Sequence, residues 1–214
     1  MELYKKYRPL RFKDVVGNRP LLVSISEMMR TKTLPQVLLF TGPAGCGKTT
    51  LARIIQANLD CNVLDRREIN ASSIRGIDSI RELEHECSLC PIATSRVWIL
   101  DEVHKWTPDA QSAALKLLED TPPNVYFFLC TTNPEKLSKA LRSRCTQLAV
   151  QSLSCPEIVK VLSRVLGAHG CMVDVEFLEL IADNADGSAR SALVLANRAD
   201  PSRSEEHTSE LQSR

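Results

Sequence analysis

The most chemically committed run in the chain is Gly42-Pro43-Ala44-Gly45-Cys46-Gly47-Lys48-Thr49, which fits the pattern G-x-x-x-x-G-K-[ST]. Its glycines let backbone N–H groups converge on phosphate oxygens, and the helix N-terminus that follows adds positive potential. Lys48 can reach the β- and γ-phosphates of a nucleoside triphosphate, and Thr49 can ligate magnesium. The apolar run Val37 to Thr41 before the motif suits a strand, and Leu51, Ile54 and Ile55 after it recur at helical spacing. This strand-loop-helix context is what separates the motif from a chance glycine-rich turn. The expected nucleotide cradle is therefore Gly42, Pro43, Ala44, Gly45, Cys46, Gly47, Lys48, Thr49 and Thr50.

A second feature belongs with it. Val97-Trp98-Ile99-Leu100-Asp101-Glu102 is an apolar strand ending in two carboxylates, and in a parallel sheet that end opens onto the ligand crevice. Asp101 would complete the magnesium shell. Glu102 would orient and deprotonate an attacking water, the role that separates an ATP hydrolase from an ATP binder. Thr131-Thr132-Asn133 leaves another strand at the same edge; spacing alone leaves open whether it senses the γ-phosphate or is ordinary turn chemistry.

These residues need a scaffold. From residue 36 to 150, short β-branched or aromatic runs alternate with helical periods, the pattern of βαβ units and a parallel sheet. Five strands are expected: Gln36 to Thr41, Glu68 to Asn70, Arg96 to Asp101, Val125 to Thr131 and Gln147 to Val150. Ala110, Ala113, Ala114, Leu117 and Leu118 mark another covering helix. Beyond Gln151 the strand pattern stops. Ile158, Val161, Leu162, Val165 and Leu166 form a helical stripe introduced by Ser154 and Pro156, and stretches Val175 to Ala185 and Ala189 to Ala196 follow across Asp186-Gly187-Ser188. The expected organisation is an α/β domain over 1–152 and a three-helix, all-α domain over 153–202. Residues 203–214 lack either period and resemble a translated sequencing adapter, so they are set aside, and the natural chain is expected to continue past 202.

Composition narrows the classes. With 43% hydrophobic and 25% charged residues the chain is globular, neither disordered nor collagen-like. Twenty-seven basic against 26 acidic residues give a net charge of +1, so a nucleic-acid surface would need local clustering. No apolar run nears the ~20 residues of a membrane helix, the N-terminus has no signal-like apolar segment, and the chain is expected to be cytoplasmic without a membrane partner. Eight scattered cysteines suit reduced, packed thiols. Cys87-Ser88-Leu89-Cys90 offers half a zinc site without a second pair. His85, His104 and His169 lack metal-ligand spacing and are expected at the surface or in packing, and Lys5, Lys6, Arg8, Arg11 and Lys13 on a solvated or inter-element surface in preference to a DNA patch.

Taken together, Tyr7-Arg8-Pro9, Val15-Val16-Gly17, the phosphate motif, Arg75-Gly76-Ile77-Asp78, Asp101-Glu102-Val103-His104, Thr131-Thr132, Ser143-Arg144-Cys145 and Gly187-Ser188-Ala189-Arg190 resemble the clamp-loader ATPases of the AAA+ superfamily, over residues 1 to about 200. The resemblance implies a P-loop AAA+ domain with a helical lid, using ATP and Mg2+ to load a sliding clamp onto primer-template DNA alongside other loader subunits. It implies that Val16 lies against adenine, Thr132 is sensor 1, Arg190 is sensor 2 from the lid, and Arg144 is an arginine finger serving an adjacent subunit's ATP. It also implies that Arg75, Gly76 and Ile77 open a helix against the DNA backbone, and that Trp106 and Pro108 begin a clamp-facing surface. Bacterial members usually carry a four-cysteine zinc module, but only Cys61, Cys87 and Cys90 stand in that region here, which leaves zinc doubtful; the family's third, collar-forming helical domain is absent from the sequence. Two rivals remain: an AAA+ DNA motor such as a branch-migration helicase, and a loader subunit that binds nucleotide without turnover. Ser143-Arg144-Cys145 argues against the first, and the intact Lys48, Thr49, Asp101 and Glu102 against the second.

Overall fold

A computed structural model describes residues 2–171 and 174–198; the adapter-like tail lies outside them. In chain order the elements are α1 (Leu3–Lys6), α2 (Arg19–Arg30), β1 (Val37–Thr41), α3 (Lys48–Asn58), β2 (Cys61–Asn70), α4 (Ile77–Ser88) and β3 (Ser95–Asp101). Then come α5 (Pro108–Glu119), β4 (Val125–Thr131), α6 (Lys139–Ser143), β5 (Thr146–Ala149), α7 (Cys155–His169), α8 (Val175–Asp183) and α9 (Ala189–Arg198). Among the described residues two compact units result, one of Pro9–Gln151 and one joining 2–8 with 152–171 and 174–198.

The larger unit is a five-stranded sheet of order β2-β3-β4-β1-β5 with every pairing parallel. Central strands β1, β3 and β4 are almost continuously apolar because helices cover both faces. Alternation sorts their side chains. Val37, Leu39, Trp98, Leu100, Phe127 and Leu129 pack with Ile80 and Leu83 of α4 and Ala110, Ala114 and Leu117 of α5. Leu38, Phe40, Val97, Ile99, Phe128 and Cys130 pack with Ile25 of α2 and Leu51, Ala52 and Ile55 of α3. Each helix buries one stripe on one face.

The edge strand β2 begins at Cys61, well before the expected Glu68. Its polar run Asp65-Arg66-Arg67-Glu68 breaks the apolar signal, since an edge strand faces water and its register with β3 shifts between Cys61 and Arg66.

In the smaller unit α7, α8 and α9 enclose Leu162, Leu166, Leu178, Ile181 and Leu193. Glu157 reaches back to accept the Ser154 N–H at 2.9 Å, fixing where α7 starts. Between α8 and α9, Gly187 takes φ 71°, and a Cβ there would stand 2.6 Å from Ser152 Cβ. The expectation that the first residues belong with the α/β domain is corrected: Leu3 is buried in this helical core, with Tyr4 and Tyr7 against it. Among the described residues no helix is long and apolar enough to cross a membrane.

Candidate nucleotide and magnesium site

The register of the sheet sets the site. Thr41 of β1 pairs with Thr131 of β4 and with Ala149 of β5, and Leu100 of β3 pairs with Leu129, so the carboxyl ends of β1, β3 and β4 finish at one level. The chain leaves β1 through Gly42 at φ 145°, where an added Cβ would lie 2.1 Å from the Val150 carbonyl oxygen. Only glycine fits so close an approach in that conformation. Gly45 and Gly47 also take positive φ, 76° and 104°, and Gly47 leads into α3.

Lys48 is 6% exposed. Its ammonium donates to the Gly42 and Pro43 carbonyls at 2.8 and 2.6 Å, which satisfies a cation that burial would otherwise penalise. One residue on, Thr49 Oγ1 donates to Asp101 Oδ2 at 2.8 Å, while Asp101 Oδ1 accepts the Glu102 N–H at 3.0 Å. A hydroxyl and a carboxylate meeting from the phosphate loop and the end of β3 form the hard-oxygen pair that suits magnesium, whose other positions water and phosphate fill. Cys130, buried beneath them, has its thiol pushed well up by burial and then by Asp101, and is no nucleophile.

Glu102 adopts left-handed backbone, φ 60° and ψ 37°, which swings its side chain off the strand line. Its Oε2 stands 3.3 Å from His104 Nε2 and 3.7 Å from Lys105 Nζ. His104 Nδ1 in turn lies 3.1 Å from Thr131 Oγ1, which also accepts the Asn133 N–H at 3.1 Å. Thr132 Oγ1 donates to Asn133 Oδ1 at 2.9 Å. His104, expected at the surface or in packing, is thus a member of the site. The signal available for it was its place two residues after Glu102; its partner Thr131 is 27 residues away in sequence.

The Val16 stretch reaches the same neighbourhood. Asn18, at φ 52°, clasps Gln151 with both ends of its amide: Nδ2 donates to the Gln151 carbonyl at 3.0 Å and Oδ1 accepts the Gln151 N–H at 2.8 Å. Gln151 follows Val150, the residue backing Gly42.

Arg144 bonds within its own unit, donating through Nε and Nη2 to Glu119 Oε2 at 3.1 and 2.9 Å. Arg190, in the helical unit, stacks its guanidinium over the Tyr4 ring at 5.5 Å. Arg75, Gly76 and Ile77 are exposed at the start of α4, with the Arg75 carbonyl accepting from Thr107 N and Oγ1. Trp106 is not a surface residue: it is buried in the core against α5, which overturns its expected clamp-facing position, whereas Pro108 is exposed. Cys87 is buried and Cys90 exposed, and among the described residues no three His, Cys, Asp or Glu side chains are grouped to hold a metal ion.

The profile of the family described as "DNA polymerase III, delta subunit" matches residues 64–154. DNA polymerase III subunit tau of Bacillus subtilis is 33% identical over 219 aligned positions, covering 92% of this chain and 39% of that protein. DNA polymerase III subunit gamma of Buchnera aphidicola (subsp. Schizaphis graminum) is also 33% identical, covering 92% of this chain and 60% of its own length. The chain therefore spans less than two thirds of these relatives. Among solved structures, the Thermotoga maritima RuvB Holliday junction branch migration motor superposes with a TM-score of 0.76 at 22% identity, over 90% of this chain and 64% of that one; at that identity the likeness is one of fold, the α/β P-loop architecture with a parallel five-stranded sheet.

Proposed function

Because the chain is a homologue of the gamma and tau subunits of bacterial DNA polymerase III, we propose that it is the ATPase part of a clamp-loader subunit, binding Mg-ATP and hydrolysing it to place a sliding clamp on primer-template DNA. The observation that carries this reading is the 2.8 Å bond between Thr49 of the phosphate loop and Asp101 at the end of β3.

In this reading the backbone of Gly42 to Thr50 cradles the phosphates and Val16 lies against the base. Lys48 exchanges its loop carbonyls for β- and γ-phosphate oxygens. Thr49 and Asp101 would hold magnesium, which neutralises phosphate charge when bound. Glu102 accepts a proton from the attacking water. Thr132 acts as sensor 1 for the γ-phosphate, and Arg190 as sensor 2. Arg144 supplies positive charge to the ATP of an adjacent subunit, and Arg75, Gly76 and Ile77 meet the DNA backbone at the N-terminus of α4.

Calorimetric titration with Mg-ATP tests the reading directly. The wild-type chain should bind, Lys48→Ala should lose binding, and Glu102→Gln should bind normally while failing to release phosphate. Equal heats from wild type and Lys48→Ala, or undiminished turnover by Glu102→Gln, would refute it.

A further inference from the structure

We propose that His104 is a positioning residue that holds the Glu102 carboxylate and ties it, through Thr131, to the strand exit at Thr132 and Asn133. The proposal rests on the reading above that Glu102 activates water.

The geometry is directional. An ionised carboxylate only accepts hydrogen bonds, so closing the 3.3 Å contact between His104 Nε2 and Glu102 Oε2 into a hydrogen bond requires the tautomer with its hydrogen on Nε2. In the neutral ring Nδ1 is then an acceptor, and the one hydroxyl beside it is Thr131 Oγ1 at 3.1 Å. Thr131 can donate there because the Asn133 N–H, at 3.1 Å, takes up only one acceptor lone pair of its oxygen and leaves the hydroxyl hydrogen for His104. In that tautomer a continuous line follows: the Asn133 backbone donates to Thr131, Thr131 to His104, and His104 faces Glu102.

Both ends of that line are firmly held. Thr131 is fully buried and in register with Thr41, the last residue before the phosphate loop. At the other end, the Lys105 N–H donates to the Glu102 carbonyl at 2.9 Å, closing the short helical turn Val103–Lys105 that returns the imidazole toward the carboxylate. A displacement of the Thr132 to Asn133 backbone on meeting a γ-phosphate would move the Thr131 hydroxyl, and with it the ring that orients Glu102. A histidine serving packing alone has no need of one side-chain partner on each ring nitrogen, both belonging to the same site.

The test compares single-turnover hydrolysis and Mg-ATP affinity in variants of the full-length, assembled protein, where an adjacent subunit can supply its Arg144. His104→Ala should slow hydrolysis about 10- to 100-fold, the range expected when a reacting group is misplaced by about 1 Å, with ATP affinity unchanged. His104→Gln, whose amide nitrogen can occupy the Nε2 position, should recover most of the rate, whereas His104→Asn, which reaches only the Nδ1 position, should not. The near-isosteric Thr131→Val should slow hydrolysis as well, and the double variant with His104→Ala should be no slower than the worse single variant. A wild-type rate in His104→Ala, equal rescue by Asn and Gln, additive losses in the double variant, or affinity falling in step with rate would each overturn the proposal. The Glu102→Gln control separates the two readings: if it still turns over ATP, the assignment of Glu102 fails; if it is inactive while His104→Ala is not, the positioning role alone fails.

Discussion

At Gly42 the requirements of folding and of phosphate binding coincide in a single hydrogen atom. The Val150 carbonyl lies where a Cβ would be, and φ is 145°, so Gly42→Ala must bend the exit of β1 or displace the end of β5. The conformation alone costs about 1–3 kcal/mol, and the collision adds to it. We expect a lower urea midpoint at unchanged slope, together with weakened Mg-ATP binding; a stability equal to wild type would mean that the loop is free to move. Such residues were legible in the sequence because the motif's chemistry is local: glycines, lysine and threonine follow one another, and one strand and one helix suffice to aim them. His104 was not, because its function depends on a threonine brought alongside by the pairing of β3 with β4, and a lone histidine in a sequence carries no mark of its neighbour.

At the scale of elements, the region between β2 and β3 is organised by an ion pair. Arg96 donates from Nε and Nη2 to Asp65 Oδ1 at 3.0 and 2.8 Å, and Asp65 Oδ2 accepts the Ile92 N–H at 2.7 Å. Arg96 also donates to the carbonyls of Glu86, Leu89 and Cys90, tying down the end of α4. Asp65 is 1% exposed; burial pushes its carboxyl up, but the Arg96 guanidinium and the Ile92 amide outweigh burial and hold it below its ordinary value of 3.8. A depressed folded pKa contributes stability above the ordinary carboxylate range and loses it as pH falls through the lowered value. Asp65→Asn removes the counter-charge of the Arg96 guanidinium and should cost about 3–5 kcal/mol near neutrality, with the deficit relative to wild type shrinking in acid. Denaturant unfolding at neutral and acidic pH measures both; a deficit independent of pH would exclude the linkage. None of this was visible in the sequence, where Asp65 and Arg96 are two charges 31 positions apart and the polar face of β2 concealed a strand, whereas the central strands announced themselves by unbroken apolar runs.

At the scale of the molecule, the proposed trans role of Arg144 makes turnover a property of an assembly, and the relatives extend well beyond the length matched here. In a full-length oligomer, Arg144→Ala subunits and Glu102→Gln subunits should each be impaired alone and recover part of the ATPase rate when mixed, since an intact base can then meet an intact arginine across one junction. No recovery on mixing would assign Arg144 to its own chain. The Arg144–Glu119 pair bears on how such a junction would form. With 33% and 60% of the two side chains in water, the pair is weak and sensitive to salt. The guanidinium can change its allegiance by rotating about its own bonds, a movement that exposed side chains complete within nanoseconds. Docking would therefore set the pace, with no helix obliged to unwind first.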